Sequence, residues 1–277
     1  MAHVVSQFYV GKAEMSSFHT IILTKKEGVV TITLNRPERM NALNAQLKEE
    51  LGSAVLQAEM DPDVRVIIIT GAGTKAFCAG KDLKEATEAS QSSSEFYASQ
   101  KKTMQLFRSL DSCSKPVIAA INGLAYGGGA EICLCCDMRY ISDTAKIGLT
   151  EVNLGIIPAG GGTQRLPRLI GIAAAKDMLF NGKTLGAGAA NEIGLVNGVF
   201  PANQLMEEVT NIAVKIASKP ALAVQSVKRV VDMGMQTDIA SGLELELMTA
   251  SVLFDTEDRK EGMAAFIEKR KPNFNSK

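Results

Sequence analysis

A strongly apolar run from Val64 to Thr70 constrains the possible folds more than any other feature of the sequence. Such a run is typical of a strand covered on both faces, and strands of that kind occur mainly in parallel sheets. The same pattern returns at Lys115 to Asn122, and a shorter strand is predicted near Met138 to Ser142. From about Asn44, apolar residues recur at helical spacing. The alternation of strands and helices predicts an α/β fold with mostly parallel pairing.

The chain of 277 residues divides into three predicted parts. Residues 1–14 lack the charged and apolar segments of a signal peptide and are interpreted as a disordered leader or a cloning remnant. Residues 15–204 carry the strand and helix alternation and form the predicted core. That core opens with two strands, Phe18 to Lys25 and Gly28 to Leu34. Residues 205–277 show helical periodicity without a further strand, so this helical region must bury its apolar faces on the core or on a neighbouring subunit.

Charge and hydropathy argue against several classes of partner. Lys plus Arg and Asp plus Glu both number 30, so no overall field favours nucleic acid or a membrane surface. No apolar run approaches the roughly 20 residues that span a bilayer. We therefore expect neither a nucleic acid nor a membrane as a partner, and a cytoplasmic location.

The five cysteines are odd in number, and Cys133, Cys135 and Cys136 lie close together. Cys133 and Cys136 form a C-x-x-C pair, which leaves a redox pair as one interpretation. A zinc site needs about four ligands, whereas the sequence has no second pair, and its two histidines lie far upstream. We favour small core residues in a reducing compartment and expect no metal.

Three segments combine glycines with side chains that could carry chemistry, and each follows a predicted strand. They are Phe77 to Lys84, Ala125 to Glu131, and Gly148 to Glu151 with its continuation Ile157 to Leu166. Each has a purely structural interpretation, because glycines permit tight turns and an acidic residue complements a helix start. Only the combination of the three indicates a function.

In its ordered set of motifs, the sequence resembles the crotonase, or enoyl-CoA hydratase/isomerase, superfamily from about Phe18 to Phe274. The motifs are Leu34-Asn35-Arg36-Pro37, Asn41-Ala42-Leu43-Asn44, Ala79-Gly80-x-Asp82-Leu83, Gly127-Gly128-Gly129-x-Glu131, Glu151, Gly162-Thr163-Gln164-Arg165-Leu166, and the ending Asp258 to Phe266 with Glu268-Lys269-Arg270. The resemblance implies a crotonase-type spiral of repeated ββα units with a C-terminal α-helical oligomerisation region. It also implies trimers that often pair into hexamers.

The resemblance further implies an acyl-CoA thioester as substrate, with its carbonyl oxygen between the backbone N–H groups of Lys81 and Gly128. Such donors stabilise the enolate-like charge that develops during the reaction. Hydratases of the family place two glutamates around one water, and this chain has Glu131 and Glu151 at those positions. We favour Glu131 as the group that activates water and Glu151 as the proton donor, although the opposite division stays open. Enoyl-CoA hydration in fatty acid metabolism is the expected activity.

The same resemblance implies further residues at the coenzyme A site, and it implies no separate cofactor, because coenzyme A is part of the substrate. These substrate-binding residues are Ala42, Ala79, Lys81, Asp82, Leu83, Lys84, Gly128, Ala159, Phe266 and Lys269. Several family hydratases have glycine at the position of Ala159, and the added methyl group leaves the preferred acyl chain length open. Phe266 and Lys269 match positions that often close over coenzyme A from the same or a neighbouring subunit, but Lys269 is equally interpreted as a solvated charge.

Other functions stay open at this stage. Other crotonase-type reactions, namely isomerisation, C–C cleavage, decarboxylation and thioester hydrolysis, use the same oxyanion loop with different acid and base residues. A coenzyme A-binding or RNA-binding relative without turnover is a second class. A serine hydrolase is disfavoured, because its catalytic triad requires a histidine within the fold and only His19 is available.

Overall fold

The computed structural model describes residues 18–82 and 92–275. Ten strands lie in this part of the chain: β1 Ile21–Lys26, β2 Val29–Leu34, β3 Val66–Gly71, β4 Ala76–Cys78, β5 Val117–Ile121, β6 Leu124–Tyr126, β7 Met138–Ser142, β8 Lys146–Gly148, β9 Thr184–Gly186 and β10 Gly198–Phe200. It also contains ten α-helices: α1 Ala45–Met60, α2 Ser93–Asp111, α3 Gly128–Cys135, α4 Gly162–Ile170, α5 Ile172–Asn181, α6 Ala187–Glu192, α7 Leu205–Ala217, α8 Ala221–Gly234, α9 Ile239–Phe254 and α10 Glu257–Glu268. Short 3₁₀ helices cover Pro37–Arg39 and Glu151–Leu154.

Six strands form the larger sheet, in the order β1-β2-β3-β5-β7-β10. The hairpin of β1 and β2 is antiparallel, and the other pairs are parallel. The hairpin turns at Glu27 and Gly28, both with positive φ, one residue later than the sequence pattern predicts. Every residue of β3 and β5 is buried, which confirms the prediction of strands covered on both faces.

The smaller sheet has the order β4-β6-β8-β9, and its first three strands run parallel. The three chemistry-bearing segments of the sequence follow β4, β6 and β8 in turn. Because parallel strands end at the same edge of a sheet, the fold brings these segments to one place. This second sheet is the part of the architecture that positions the site.

Helices cover both faces of the larger sheet. Leu47, Leu51 and Val55 of α1 contribute to the main apolar core. On the opposite face, Leu205, Val209 and Ala213 of α7 pack against β2, β3 and β5 to form a second core. Although α7 begins at the predicted boundary of the helical region, it belongs to the packing of the α/β core.

The last three helices differ from α7 in what they bury. Helices α8 and α9 pack against each other, yet neither contains a buried residue. Lys228 joins α8 to the core through hydrogen bonds to the carbonyl oxygen of Lys115 (3.1 Å) and the carboxylate of Asp137 (2.8 Å). The apolar side chains exposed by more than half on α8 to α10 are Val227, Val231, Ile239, Leu243, Leu247, Met248, Val252, Phe254, Met263, Phe266 and Ile267.

Two sequence predictions concern the limits of the described chain. Residues 1–14, predicted to be a leader, lie outside the described residues. From Glu85 to Gln100 the sequence leaves open a loop or a frayed helix, and the described part of that range is mostly the start of α2, capped by Ser92 and Glu95. Among the described helices, none is both long and apolar enough to cross a membrane.

Candidate active site

Glu131 lies in the first turn of α3, which starts at the end of β6. The three glycines before it let α3 approach β4 closely, because a side chain at Gly129 would collide with the carbonyl oxygen of Cys78. The glutamate itself is 4% exposed. One carboxylate oxygen, Oε1, accepts hydrogen bonds from the backbone amides of Gly160 (2.8 Å) and Gly162 (2.9 Å). The loop before α4 therefore fixes the orientation of this carboxylate.

Glu151 begins the 3₁₀ helix that follows β8. Its Oε1 lies near the backbone of Gly127, where an added Cβ would be 3.3 Å away. Its Oε2 is buried and has no hydrogen-bond partner among the described residues. A buried carboxylate oxygen without a partner costs free energy, so this site retains an acceptor that a substrate or water can satisfy.

The two carboxyl groups are both largely removed from solvent and lie close enough to interact electrostatically. Burial raises the pKa of Glu151 to about 7, and the charge of Glu131 adds to the rise. Burial also raises the pKa of Glu131, while the amides of Gly162 and Gly160 and the charge of Arg165 oppose that effect. Near neutral pH the pair can therefore hold one proton, with Glu131 better stabilised as the anion.

Two backbone amides face the same region. Gly80 and Gly128 lie side by side, since a Cβ built on Gly80 would be 3.4 Å from the Gly128 nitrogen. Gly80 has a φ of +92°, a conformation that turns the chain after β4 and that other residues rarely adopt. Within the described residues, no carbonyl or side chain accepts from the amides of Lys81 or Gly128. Both amides are available to a ligand oxygen. The Gly128 amide also lies at the N-terminus of α3, where the positive end of the helix dipole favours a negatively charged oxygen.

The loop that carries Lys81 is held by the segment before α1. The Leu43 amide donates to the Gly80 carbonyl (2.7 Å), and the Asp82 amide donates to the Leu43 carbonyl (3.1 Å). Arg36 connects the two segments: one guanidinium nitrogen donates to the Ala42 carbonyl, and another donates to the Asp82 carboxylate (3.0 Å). Ala42, Ala79 and Asp82 thus lie around Lys81, and their role in substrate binding stays a prediction.

The remaining predicted residues are distributed unevenly. Ala159 is half-buried directly before Gly160, beside Glu131. Leu83 and Lys84 lie outside the described residues. Phe266 and Lys269 are exposed at the end of α10, and that helix has no extensive contact with the described elements that carry the other site residues.

Sequence reasoning missed Arg36 and Arg165 as organisers of this site. Both stand in the family-like motifs, but no pattern in the sequence reveals that Arg36 meets Asp82 or that Arg165 meets Asp111 and Gly160. Arg36 and Asp82 are 46 residues apart in the sequence, and Arg165 and Asp111 are 54 residues apart. Only the fold brings these partners together.

All five cysteines are buried and unpaired. Burial raises the pKa of the Cys78 and Cys136 thiols to about 12, so neither is a reactive thiolate at neutral pH. The interpretation of the cysteines as core residues agrees with this environment.

Comparison with known proteins places the chain beside enzymes of acyl-CoA metabolism. A family model described as enoyl-CoA hydratase/isomerase matches residues 24–277. A crotonyl-CoA hydratase of Syntrophomonas wolfei is 45% identical over 94% of this chain and 100% of its own length. A short-chain-enoyl-CoA hydratase of Clostridium acetobutylicum is 42% identical over 91% of this chain and 96% of its own length. The crystal structure of an enoyl-CoA hydratase from Bacillus anthracis is 41% identical, with a TM-score of 0.90 over 94% of this chain and 100% of the other.

Proposed function

Because the chain belongs to the enoyl-CoA hydratase/isomerase family, we propose that it catalyses the reversible addition of water across the 2,3 double bond of a 2-enoyl-CoA thioester. The observation that carries this proposal is the pair of buried carboxyl groups that interact electrostatically. One is oriented by two amides, and the other has a buried oxygen without a described partner. Coenzyme A enters as part of the substrate, and no separate cofactor is required.

The amides of Lys81 and Gly128 would bind the thioester carbonyl oxygen. As water adds to the β-carbon, electron density moves onto this oxygen, and the resulting enolate needs hydrogen-bond donors. Loss of one such donor typically costs about 2.7–4 kcal/mol of transition-state stabilisation. Because the donors belong to the main chain, the side chain of Lys81 is not needed for this step; its ammonium group lies 5.6 Å from the centre of the Phe96 ring.

The two glutamates would divide the proton transfers. Glu131, the better stabilised anion, takes a proton from water as the oxygen bonds to the β-carbon. Glu151, with its pKa raised to about 7, donates a proton to the α-carbon. The step leaves Glu131 protonated and Glu151 ionised, so a proton must pass back between them, directly or through water, before the next turnover. A general acid with a pKa near the working pH suits this role.

We propose a short acyl chain as the preferred substrate. The Phe107 ring, 1% exposed, packs against Gly160 so closely that a side chain there would collide with it. The methyl group of the adjacent Ala159 would narrow the acyl site further than a glycine at that position. The names of the Syntrophomonas and Clostridium relatives, which specify crotonyl and short-chain substrates, support this preference.

Assembly into trimers, which can pair into hexamers, would complete the site. The exposed apolar side chains of α8 to α10 exceed what a monomer normally leaves uncovered. A second copy of this chain around a threefold axis is the proposed cover. Phe266 and Lys269 would then lie near a subunit boundary, where the lysine can serve coenzyme A phosphates as a point charge. We further propose a cytoplasmic role in fatty acid β-oxidation.

Isomerisation is the second candidate, because one carboxylate is sufficient to move a proton between two carbons. The mass of the product formed from crotonyl-CoA separates the two, since hydration adds one molecule of water whereas isomerisation leaves the mass unchanged. We expect Glu131→Gln and Glu151→Gln each to lower kcat by ~10²–10⁴-fold, the usual contribution of a general acid or base. Coenzyme A affinity should stay near the parent value. Full turnover in Glu131→Gln would favour the isomerase instead.

A further inference from the structure

Arg165, in the first turn of α4, makes contacts on two sides of its guanidinium group. Its Nε and Nη2 donate to the two carboxylate oxygens of Asp111 at the end of α2, with the Nε bond at 3.0 Å. Its Nη1 donates to the carbonyl oxygen of Gly160 (2.9 Å). The guanidinium also lies against Gly161, where any side chain would collide with it. Arg165 therefore joins α2, α4 and the loop before α4.

That loop is the one that holds Glu131. The Gly160 residue gives its carbonyl oxygen to Arg165 and its amide to the Glu131 carboxylate. Gly162, two residues later, gives a second amide to the same oxygen. Since both amides come from a segment whose position the guanidinium fixes, Arg165 acts on Glu131 through one residue of backbone. A displacement of this loop would rotate or release the carboxylate.

Charge provides a second connection between Arg165 and Glu131. The groups that face this region are Asp111 on α2, Glu131 and Cys135 on α3, and Glu151 after β8, with Asp232 of α8 near Asp111. Burial raises the pKa of Glu131, and Arg165 is the cation that opposes it. Removing the arginine charge should make Glu131 harder to ionise.

We propose that Arg165, oriented by Asp111, is a positioning residue that sets the Gly160 to Gly162 loop and supplies the positive charge facing Glu131. This inference rests on the proposed function of Glu131 in activating water. An arginine suits the task because its planar fork can bind the Asp111 carboxylate and the Gly160 carbonyl at the same time. A lysine could keep the charge but not both contacts.

The test is the pH profile of kcat with crotonyl-CoA for three variants of the full chain. In Arg165→Met, kcat should fall by up to about 100-fold, the cost of misplacing a catalytic group by roughly 1 Å. KM should change little, because Arg165 contacts none of the proposed substrate-binding amides. The acidic limb of the profile should move to higher pH, because Glu131 must be ionised to activate water. Arg165→Lys should keep the limb near its parent position and recover part of kcat.

Arg168→Met is the matched control, since Arg168 is exposed one turn further along α4 and bonds to Gln164. It should match the parent in both kcat and profile. Should Arg165→Met fail to fold, Asp111→Asn replaces it. In that variant kcat should fall, but the acidic limb of the pH profile should not move to higher pH, because the arginine charge remains. An unmoved limb in folded Arg165→Met, or a parent kcat in Asp111→Asn, would overturn the inference. Absence of hydration by the parent protein would instead contradict the proposed function.

Discussion

Ionisation of the buried Glu151 carboxyl group should lower the stability of the folded protein. Its buried Oε2 has no hydrogen-bond partner among the described residues, and burial raises its pKa from 4.5 to about 7. A carboxyl group with a raised pKa in the folded state stabilises that state fully below its unfolded pKa. The contribution is lost as pH rises through the folded pKa. The group is therefore suited to donate a proton and poorly suited to remain ionised.

Replacement of Glu151 by Gln should reveal this loss of stability. Between pH 4.5 and about 7 the parent protein should lose stability that the neutral amide retains. At pH 8 we expect Glu151→Gln to melt at a higher temperature than the parent, with each 1 kcal/mol gained raising Tm by about 2–4 °C. Thermal denaturation from pH 5 to pH 8 measures the effect, and at pH 5 the two proteins should be close. A lower Tm for the variant at pH 8 would mean that Glu151 is stabilised as an anion.

At the scale of elements, the fold connects loops that the sequence presents separately. The ends of β4, β6 and β8 lie side by side, so the segments after them form one site. The Arg36–Asp82 ion pair connects the segment before α1 to the loop that carries Lys81. Its side chains are 15% and 13% exposed, so the pair is far less hydrated than a surface ion pair.

Arg36→Met should consequently affect both stability and turnover. Removal of one partner of a buried ion pair lowers the free energy of unfolding by about 3–5 kcal/mol. Because this pair is partly exposed, the decrease should lie at the lower end of that range. The Lys81 amide would lose its anchor, so kcat should fall as well. Lys25→Met is the control, since Lys25 pairs with Asp61 at the surface, where solvent screening leaves an ion pair little effect on stability. Urea unfolding and steady-state kinetics compare the two variants, and equal effects would contradict the role given to Arg36.

The sequence predicts the elements better than their partners. The run from Val64 to Thr70 indicates a buried strand without any tertiary information, because almost all of its residues are apolar and both faces of the strand are therefore apolar. By contrast, α7 and α9 are both apolar and helical in sequence, yet α7 packs on the sheet while α9 buries none of its residues. Periodicity identifies an apolar face but not what covers it. The roles of Arg36 and Arg165 depend on partners distant in sequence, which patterns cannot identify.

At the scale of the whole molecule, the C-terminal helices α8 to α10 leave many large apolar side chains exposed. Leu247 on α9 is 62% exposed and Phe266 on α10 is 84% exposed. An apolar surface of this extent is typical of a subunit interface. Other copies of the chain would cover this surface in the proposed trimer.

Light scattering should therefore give a mass of three or six chains. Leu247→Asp should shift the protein toward single chains and raise KM for the thioester, because Phe266 and Lys269 would no longer lie at a subunit boundary. Leu56→Asp on α1, at an equally exposed leucine (59%), is the control and should leave assembly intact. A stable, fully active monomer at micromolar concentration would remove the proposed completion of the site across subunits.

The fate of the water oxygen shows whether Glu131 and Glu151 catalyse the addition of water to an enoyl thioester. Crotonyl-CoA is incubated with the protein in ¹⁸O-labelled water, and the product is analysed by mass spectrometry. We expect a 3-hydroxyacyl-CoA heavier by one molecule of labelled water, with the label on the β-carbon, and almost none with Glu131→Gln. A product of unchanged mass with a displaced double bond, or free coenzyme A from hydrolysis, would contradict this expectation.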